Sequence, residues 1–261
     1  MNQFPYILSV YSCGATALRM RDYLNEKLDV LDPGHISIRY KKEPEAWPPI
    51  IRWGNSTPAP NENCTYNNAE HIAITSSKGR LSQLLSNAGI PVITFRKDEP
   101  SANDYPVVIR TIMHGQGGQG IFFASNKDEW LPYKGKSWSK FIKFEFEIRL
   151  HALAGNAVRV FKKILVEQGE QEPEFPIRND LNGYHFSLRK LENYTKAVDI
   201  AKKIYQLFPI EMVGWDMGWD AENHRYVVIE GNSAPSLNNV STPIYCDFLL
   251  NKIWGKGGDN V

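Results

Sequence analysis

The sequence is poor in cysteine, and the few cysteines it has are far apart. Only three occur in 261 residues, with no Cys-x-x-Cys pair. This pattern argues against a disulfide framework and against a zinc site, so we expect Cys13, Cys64 and Cys246 to be reduced. Cys13 lies in a Ser-Cys-Gly-Ala turn, where it is either a nucleophile or a small buried apolar residue.

Excess charge and long apolar runs are also missing. The chain has 30 Lys and Arg against 29 Asp and Glu, a net charge of +1. Proteins that neutralise nucleic-acid phosphates carry a basic excess, so general nucleic-acid binding is not expected, although a local basic site stays open. No segment has the roughly 18 apolar residues of a membrane span, and the first residues do not resemble a secretory signal. We expect a cytoplasmic monomer or homodimer.

What is present is an ordinary globular composition, with 42% hydrophobic and 23% charged residues. Strand and helix patterns follow one another along the chain and predict an α/β fold built of α+β lobes. We expect three lobes: an N-terminal α/β lobe (1–75), a linker helix with a glycine-loop lid (76–139), and a C-terminal lobe with an antiparallel sheet (140–261).

Several elements can be predicted from local patterns. Ser76 or Ser77 is placed to cap a helix that Gly89 ends, and the run PVITF after it reads as a strand. A hairpin is expected around a turn at Gly155–Asn156. An earlier helix has its apolar residues at helical spacing: Leu18, Tyr23, Leu24 and Leu28.

The loop HGQGGQG, His114–Gly120, has four glycines in seven residues between two predicted strands. Such a loop lets several backbone N–H groups converge on a phosphate, because no Cβ atoms obstruct them. A purely structural glycine turn is the alternative. No Gly-Lys-Ser/Thr ends the loop and no helix follows it, so it is neither a Walker loop nor a Rossmann turn.

Near the end of the chain, GWDMGW and YVVIEGN read as two strands of a hairpin. Glu230 and Asn232 are two residues apart and leave the same face of their strand. If the turn centres near Asn223, Asp216 lies about opposite Glu230, and the two carboxylates and the amide suit a hard cation such as Mg²⁺. A polar hairpin face solvated by water is the alternative.

Basic residues recur between these two features. On FEIRLH, Glu147, Arg149 and His151 alternate on one face. Lys163 and Arg178 follow on the next strand and loop. These groups are suited to bind phosphate or carboxylate, while a solvated face laced with ion pairs is the other interpretation.

The order of these motifs resembles the ATP-grasp superfamily over about residues 70 to 245. The similarity is greatest to the glutamate-ligase-like branch and fainter to D-alanine:D-alanine ligase. The motifs that carry it occur in this order: SSKGRLSQLLSNAGIPVITF, YPVVIRTIMHGQGGQGIFF, EIRLHALAGNAVRVFKK, IRNDLNG, GWDMGW and VVIEGNSAPSLN.

The resemblance implies a role for each matching residue. Arg110 stands where the family has a nucleotide-contacting Lys. The glycine loop would close over the phosphates. The backbone of Lys140–Ile142, which resembles the family's hinge segment, would hold the adenine edge. Asp216, Glu230 and Asn232 match the magnesium ligands. The nucleotide-binding set is Arg110, His114, Gly115, Gln116, Gly117, Gly118, Gln119, Gly120, Lys140, Phe141 and Ile142, and the catalytic set is Arg149, Lys163, Arg178 and Asn179.

The resemblance further implies an ATP-dependent carboxylate–amine ligase that uses Mg²⁺, or Mn²⁺ in its place, and forms an amide through an acyl-phosphate. The substrates would be small-molecule or peptide acids and amines. A kinase of the same fold and a non-catalytic nucleotide-binding module remain as alternatives. Arg52–Thr57, RWGNST, is either part of the acceptor site or a surface loop.

Overall fold

The computed structural model describes residues 6–10, 15–28, 36–40, 50–57, 65–112, 119–165, 178, 182–188 and 194–254. In this part of the chain, twelve strands form three separate sheets, and six helices pack against them.

The N-terminal lobe is built on a parallel sheet. Its strands are β1 (Tyr6–Val10), β2 (Ile36–Tyr40), β3 (Ile50–Trp53) and β4 (Thr65–Tyr66), in the order β2-β1-β3-β4. Helix α1 (Ala15–Leu28) connects β1 to its parallel neighbour β2, as a parallel pair requires.

A small antiparallel sheet forms the second lobe, the lid. Its strands are β5 (Val107–Arg110), β6 (Ile121–Ala124) and β7 (Ser137–Lys140), in the order β6-β5-β7. The short helix α4 (Lys127–Trp130) and a 3₁₀ turn at Leu131–Tyr133 connect β6 to β7. The lid has its own apolar core of Val107, Ile109, Ala124, Trp130 and Trp138.

The third lobe is a five-stranded antiparallel sheet in the order β10-β9-β8-β11-β12. Its strands are β8 (Glu147–Leu153), β9 (Asn156–Leu165), β10 (Tyr184–Ser187), β11 (Met212–Asp220) and β12 (Arg225–Asn232). This sheet has one apolar face and one polar face, because residues along each strand alternate between the two sides.

Helices cover the apolar face of this sheet. They are α2 (Ala69–Ser76), α3 (Lys78–Asn87) and α5 (Thr195–Leu207). Leu81, Leu85 and Ile204 of the helices share a core with Ile148 and Trp215 of the sheet. Burying side chains of this size contributes roughly 1.5–3 kcal/mol each, so this face holds the lobe together and leaves the opposite face for polar residues.

The last helix, α6 (Ser241–Trp254), returns to the N-terminal lobe and packs on α1. Met20 and Leu24 of α1 share one buried cluster with Tyr245 and Leu249 of α6 and with Met212 of β11. The N-terminal and C-terminal parts of the chain are therefore joined by a common apolar core.

Asn67 fastens the same two lobes through hydrogen bonds. It is fully buried with a φ of 60°, and its Oδ1 accepts from the N–H groups of Glu211 at 3.0 Å and Met212 at 2.8 Å. Its Nδ2 donates to the Met212 carbonyl at 2.8 Å. The Asn67 side chain thus satisfies polar groups of the β11 start that burial would otherwise leave unpaired.

Several local predictions are confirmed. Ser77 caps α3, with its side chain accepting from the N–H of Arg80, and Gly89 follows the helix in the left-handed region with a φ of 70°. Cys246 is a free, buried thiol whose pKa burial raises; Cys13 and Cys64 lie outside the described residues.

Other local predictions were wrong. The run PVITF is not a strand: only the isolated bridges Val92–Val228 and Arg96–Trp138 tie this extended segment to its neighbours. The hairpin expected around Gly155–Asn156 is present as β8 and β9, but its turn lies one residue earlier, at Ala154 and Gly155, whose φ values are 46° and 79°.

The remaining differences concern which residues are buried and which elements exist. In α1 the buried positions are Ala17, Met20, Leu24 and Leu28, whereas Leu18 is 38% exposed. Helix α2 and strand β10 were not predicted. Among the residues described, no helix has the length and apolar character needed to cross a bilayer.

Candidate active site

A β-bulge sets the centre of the candidate site. Strand β11 pairs with β12 from Asp220 opposite Arg225 to Met217 opposite Val228, and the register then shifts so that Asp216 lies opposite Glu230. Ile229 is therefore the extra residue. Beyond a bulge of one residue, each side chain of the strand lies on the face opposite to the one that regular alternation would give.

The bulge determines on which face of the sheet Glu230 lies. Tyr226 and Val228 face the apolar core beneath the sheet, and strict alternation would send Glu230 to that same face. After the bulge, Glu230 instead lies opposite Asp216 on the polar face, followed by Asn232 opposite Gly214. The predicted juxtaposition of Asp216 and Glu230 is thus present in the structure.

The turn of this hairpin is held by Asp220. Its buried carboxylate accepts from the backbone N–H of Asn223 at 3.1 Å, from the Asn223 amide at 2.8 Å and from Arg225 Nε at 3.3 Å. These contacts hold the turn, and the register of the pair changes only at the bulge beside Met217.

Each of the two central carboxylates is paired with a cation. Arg149 of β8 donates from Nε to Asp216 Oδ1 at 2.6 Å and from Nη2 to Oδ2 at 2.8 Å. Lys78 donates from Nζ to Glu230 Oε2 at 2.6 Å. The Asp216 side chain is 8% exposed and that of Glu230 34%, so the deeper carboxylate has the bidentate partner.

The surroundings shift the pKa values of the two acids in opposite directions. Burial raises the pKa of Asp216, and the attraction of Arg149 offsets only part of that effect. Burial acts on Glu230 in the same sense, but the positive charges of Lys78, Arg149 and Arg110 outweigh it and lower the pKa of Glu230. Relative to their ordinary pKa values, the environment thus disfavours ionisation of Asp216 and favours ionisation of Glu230.

Lys163 and Arg178 come together beside this pair. Lys163 Nζ donates to Glu147 Oε2 at 2.9 Å and to the Arg178 carbonyl at 2.6 Å. Both side chains of the Glu147–Lys163 ion pair are less than 15% exposed. Arg178 Nη2 donates to the Glu145 carbonyl at 3.2 Å, and within the described residues its buried Nη1 has no hydrogen-bond partner.

One aromatic ring supports the two basic groups. Phe186 of β10 lies opposite Lys163 in the sheet. The Arg149 guanidinium carbon is 4.2 Å from the centroid of its ring, and Lys163 Nζ is 5.2 Å from it. These distances are in the range of cation–π contacts, so Phe186 restrains both cations at once.

The lid contributes Arg110, the last residue of β5. Its guanidinium carbon lies 5.5 Å from the centroid of the Phe95 ring, and its buried Nε has no partner in the part of the chain that the structure describes. Burial lowers the pKa of Arg110, and the negative charge of Glu230 offsets only part of that effect. The opposite charges of Arg110 in β5 and Glu230 in β12 therefore attract each other.

The end of the glycine loop is closed by backbone contacts. Gly120 has a φ of 69°, and its carbonyl accepts from the N–H of Thr111 at 2.8 Å. A Cβ at Gly120 would lie 2.7 Å from Thr111 Oγ1, so this position needs glycine for space as well as for conformation. Gln119 adjoins it and is exposed. His114, Gly115, Gln116, Gly117 and Gly118 lie outside the described residues, as does Asn179.

The predicted hinge follows β7. Lys140 is exposed and donates to the Asn103 carbonyl at 3.3 Å. The N–H of Phe141 donates to the Pro106 carbonyl at 2.9 Å, and the Ile142 carbonyl accepts from Phe144 at 3.0 Å. These main-chain groups already have partners, so any contact of the hinge with adenine must use the remaining groups of this segment.

The donor set of the central pair fits a hard divalent cation. Asp216 and Glu230 offer carboxylate oxygens and Asn232 an amide oxygen, which also accepts from the N–H of Ala234 at 3.0 Å. Within the described residues no three His, Cys, Asp or Glu side chains form a metal-binding group. An ion here would depend on Asn232 and on ligand oxygens, and it would displace Arg149 and Lys78 from the carboxylates.

Two residues of this face were missed by sequence reasoning. Lys78 is the first residue of α3, where an acidic side chain is normally favoured, and that departure was the available signal. Phe186 gave no signal, because its segment has the composition of a polar loop.

The candidate acceptor segment, Arg52–Thr57, is partly buried. Arg52 is 0% exposed, and its Nη1 donates to the Asn55 carbonyl at 3.4 Å.

Comparison with known proteins gives a match in structure only. No protein-family model and no curated protein sequence matches the chain. The ATP-grasp ligase PsnB, complexed with a minimal precursor, has a TM-score of 0.66 at 11% identity, covering 95% of this chain and 99% of PsnB. The neighbours also include PsnB complexed with Mg and ADP.

Two bacterial ligases are similar as well. N5-carboxyaminoimidazole synthetase from Staphylococcus aureus, complexed with ADP, has a TM-score of 0.61 at 13% identity over 90% of this chain and 73% of that protein. D-alanine–D-alanine ligase from Bacillus anthracis has a TM-score of 0.57 at 13% identity over 90% and 89%. With this arrangement of lobes and sheets, the chain has the ATP-grasp fold.

Proposed function

We propose that the protein is an ATP-dependent carboxylate–amine ligase that works through an acyl-phosphate. The observation that carries the proposal is the row of charged groups on one sheet face: Asp216 opposite Glu230, flanked by Arg149 and Lys163. Carboxylates for a cation and basic groups for phosphates are what phosphoryl transfer from a nucleotide needs. The ADP and Mg complexes of the structural neighbours support this reading.

In the proposed reaction, a carboxylate oxygen of the acid substrate attacks the γ-phosphorus of ATP. The new O–P bond forms as the bond to the bridging oxygen breaks, and ADP leaves. The amine nitrogen then attacks the acyl carbon, inorganic phosphate departs, and the amine loses a proton. Catalysis consists mainly of positioning and charge stabilisation, which require no protein nucleophile.

The side chains divide these tasks. Arg149 and Lys163, restrained by the Phe186 ring, would face the transferring phosphoryl group. Arg178 and Asn179 would hold the reacting carboxylate, and Arg110 with the glycine loop would bind the triphosphate from the lid side. Asp216, Glu230 and Asn232 would hold Mg²⁺ or Mn²⁺, which when bound neutralises phosphate charge and orients the triphosphate.

The acid and amine are small molecules or peptides in this proposal. The PsnB structures contain a minimal precursor, and the names of N5-carboxyaminoimidazole synthetase and D-alanine–D-alanine ligase refer to low-molecular-weight compounds, so both classes belong in a substrate screen. A requirement for ATP agrees with the cytoplasmic location expected from the sequence.

Hydroxylamine distinguishes a ligase from a kinase of the same fold. We expect pools of amino acids and acidic peptides, with Mg-ATP and hydroxylamine, to yield a hydroxamate together with ADP. A kinase would instead leave a stable phosphorylated product and no hydroxamate, and that result would overturn the ligase proposal.

Single substitutions distinguish an enzyme from a non-catalytic nucleotide-binding module. We expect acid-dependent ADP release, lost in Asp216→Ala and in Glu230→Ala. A matched control is Asp199→Ala, which removes an exposed carboxylate of α5. If the protein binds nucleotide and no member of the pools increases ADP release in wild type, the module is the better description.

A further inference from the structure

Lys78 occupies an unusual position for a lysine. It is the first residue of α3, where backbone N–H groups give the helix end a partial positive charge. A cation there is electrostatically unfavourable, and Ser77 already caps the helix. The local structure of the helix therefore gives no reason for a basic side chain at this site.

The contact of Lys78 with Glu230 supplies the reason. The Nζ to Oε2 distance is 2.6 Å, and the lysine side chain is only 16% exposed. Glu230 is brought within reach by the bulge at Ile229, on the face that also holds Asp216. Lys78 thus lies against one of the two carboxylates that the proposed metal would need.

Basic groups outnumber acidic groups on this face even without a bound metal. Its basic groups are Lys78, Arg110, Arg149 and Lys163, and its acidic groups are Glu147, Asp216 and Glu230. A bare divalent ion would take Glu230 from Lys78 and leave that ammonium group beside a second cation in a mostly buried place. A bound triphosphate would give the displaced ammonium group new partners.

We propose that Lys78 acts as a resident counter-ion, which competes with a divalent cation for Glu230 and thereby makes metal binding depend on nucleotide. Lys78 is in this sense a positioning residue, since it holds Glu230 in place and shields the site from metal alone. The inference rests on the proposed function, because it assumes that a metal–nucleotide complex binds at this face.

Binding measurements test the inference without any substrate. We would measure Mn²⁺ affinity by electron paramagnetic resonance, with and without a non-hydrolysable ATP analogue. In wild type the analogue should increase Mn²⁺ affinity by about tenfold or more, within the usual range of coupling between two ligands. In Lys78→Met, Mn²⁺ alone should bind about tenfold more tightly than to wild type, and the enhancement by the analogue should shrink.

Three control variants make the result specific. Lys78→Arg keeps the cation and should retain weak binding of Mn²⁺ alone. Lys203→Met removes an exposed lysine of α5 and should match wild type. Glu230→Gln should abolish the gain in Mn²⁺ affinity when combined with Lys78→Met, which identifies the site of the bound ion. Thermal unfolding of each variant checks that the fold is intact.

The outcomes separate the two proposals. If wild type binds the Mn²⁺–analogue complex but Lys78→Met leaves the affinity for Mn²⁺ alone unchanged or weaker, the counter-ion role is wrong and the proposed function stands. If wild type binds neither Mn²⁺ nor the analogue at this face, the proposed function itself is wrong. A purely structural role of Lys78 would not increase metal affinity.

Discussion

Asp216 and Glu230 lie opposite each other only because Ile229 is an extra residue in β12. The turn is centred between Glu222 and Asn223, as the pairing of Asp220 with Arg225 shows. Continuous pairing from that turn would put Ile229 opposite Asp216 and direct Glu230 into the apolar core. The bulge turns Glu230 to the polar face, and bulges are known to re-aim side chains in this way.

Deletion of Ile229 tests this relationship. We expect the shortened strand to pair regularly, with Glu230 directly after Val228 and still opposite Asp216 on the polar face, so that nucleotide-dependent Mn²⁺ binding is retained, whereas Glu230→Gln loses it. Ile229→Val keeps the bulge and should bind normally. Loss of Mn²⁺–nucleotide binding in the folded deletion variant, to the level of Glu230→Gln, would contradict the assignment of Ile229 as the extra residue.

Phe186 should matter for nucleotide affinity although it carries no charge. Phe186→Leu removes the ring face beneath Arg149 and Lys163, and we expect the affinity for the ATP analogue with Mn²⁺ to fall by about three- to tenfold, the range of cation–π contacts. Phe186→Trp retains a ring and should bind almost as well as wild type. Isothermal titration calorimetry measures both.

The control for this experiment is Tyr194→Leu, which removes a partly exposed aromatic ring at the start of α5, on the other side of the sheet. Its affinity should equal that of wild type. Equal affinities for Phe186→Leu and Tyr194→Leu would show that the Phe186 ring does not position the cations.

Asn67 should be one of the most sensitive positions for stability. Asn67→Ala leaves two N–H groups and one carbonyl at the start of β11 without their side-chain partner, and we expect a loss of about 2–4 kcal/mol in the free energy of unfolding. Asn67→Gly loses the same bonds but tolerates the left-handed backbone, so it should lose roughly 1 kcal/mol less.

Urea denaturation measures this difference. Asn68→Ala, which removes the neighbouring N-cap of α2, is the comparison, with an expected loss of about 1 kcal/mol. An Asn67→Ala variant no less stable than Asn68→Ala would mean that the side-chain bridge between the lobes contributes little.

His151 should make the fold sensitive to acid. Its side chain is 1% exposed, lies between the rings of Phe161 and Tyr245, and is near the positive charge of Arg149. Burial, with a smaller contribution from Arg149, lowers the pKa of His151 from 6.5 to about 3. The folded protein therefore keeps His151 neutral at a pH where the unfolded chain protonates it.

His151 contributes to stability only while its imidazole is neutral. Stability from neutral His151 is fully present above pH 6.5 and is lost as the pH falls from there toward 3, by about 1.4 kcal/mol per pH unit. We expect the free energy of unfolding of wild type to decrease more steeply between pH 7 and pH 5 than that of His151→Phe. Parallel curves for the two proteins would show that His151 does not resist protonation.

Local patterns were enough to predict much of this protein. Helical spacing, Ser77 and Gly89 indicated helix α3 with its ends, and the glycine loop between two strands indicated the lid sheet. The pairing of Asp216 with Glu230 was also expected, but from a turn centred on Asn223 and a regular register. The true turn and the bulge compensate for each other, so the expectation was right for an incomplete reason.

The tertiary structure decided what spacing cannot encode. The contacts of Lys78 with Glu230 and of Arg149 with Asp216 join residues 152 and 67 positions apart, so no local period relates them. The position of Phe186 depends on the pairing of β10 with β9. Periodicity determines which face of an element is apolar, because that is a property of neighbouring residues. Only packing determines which charges meet, because partner choice depends on the register and order of strands far apart in the chain.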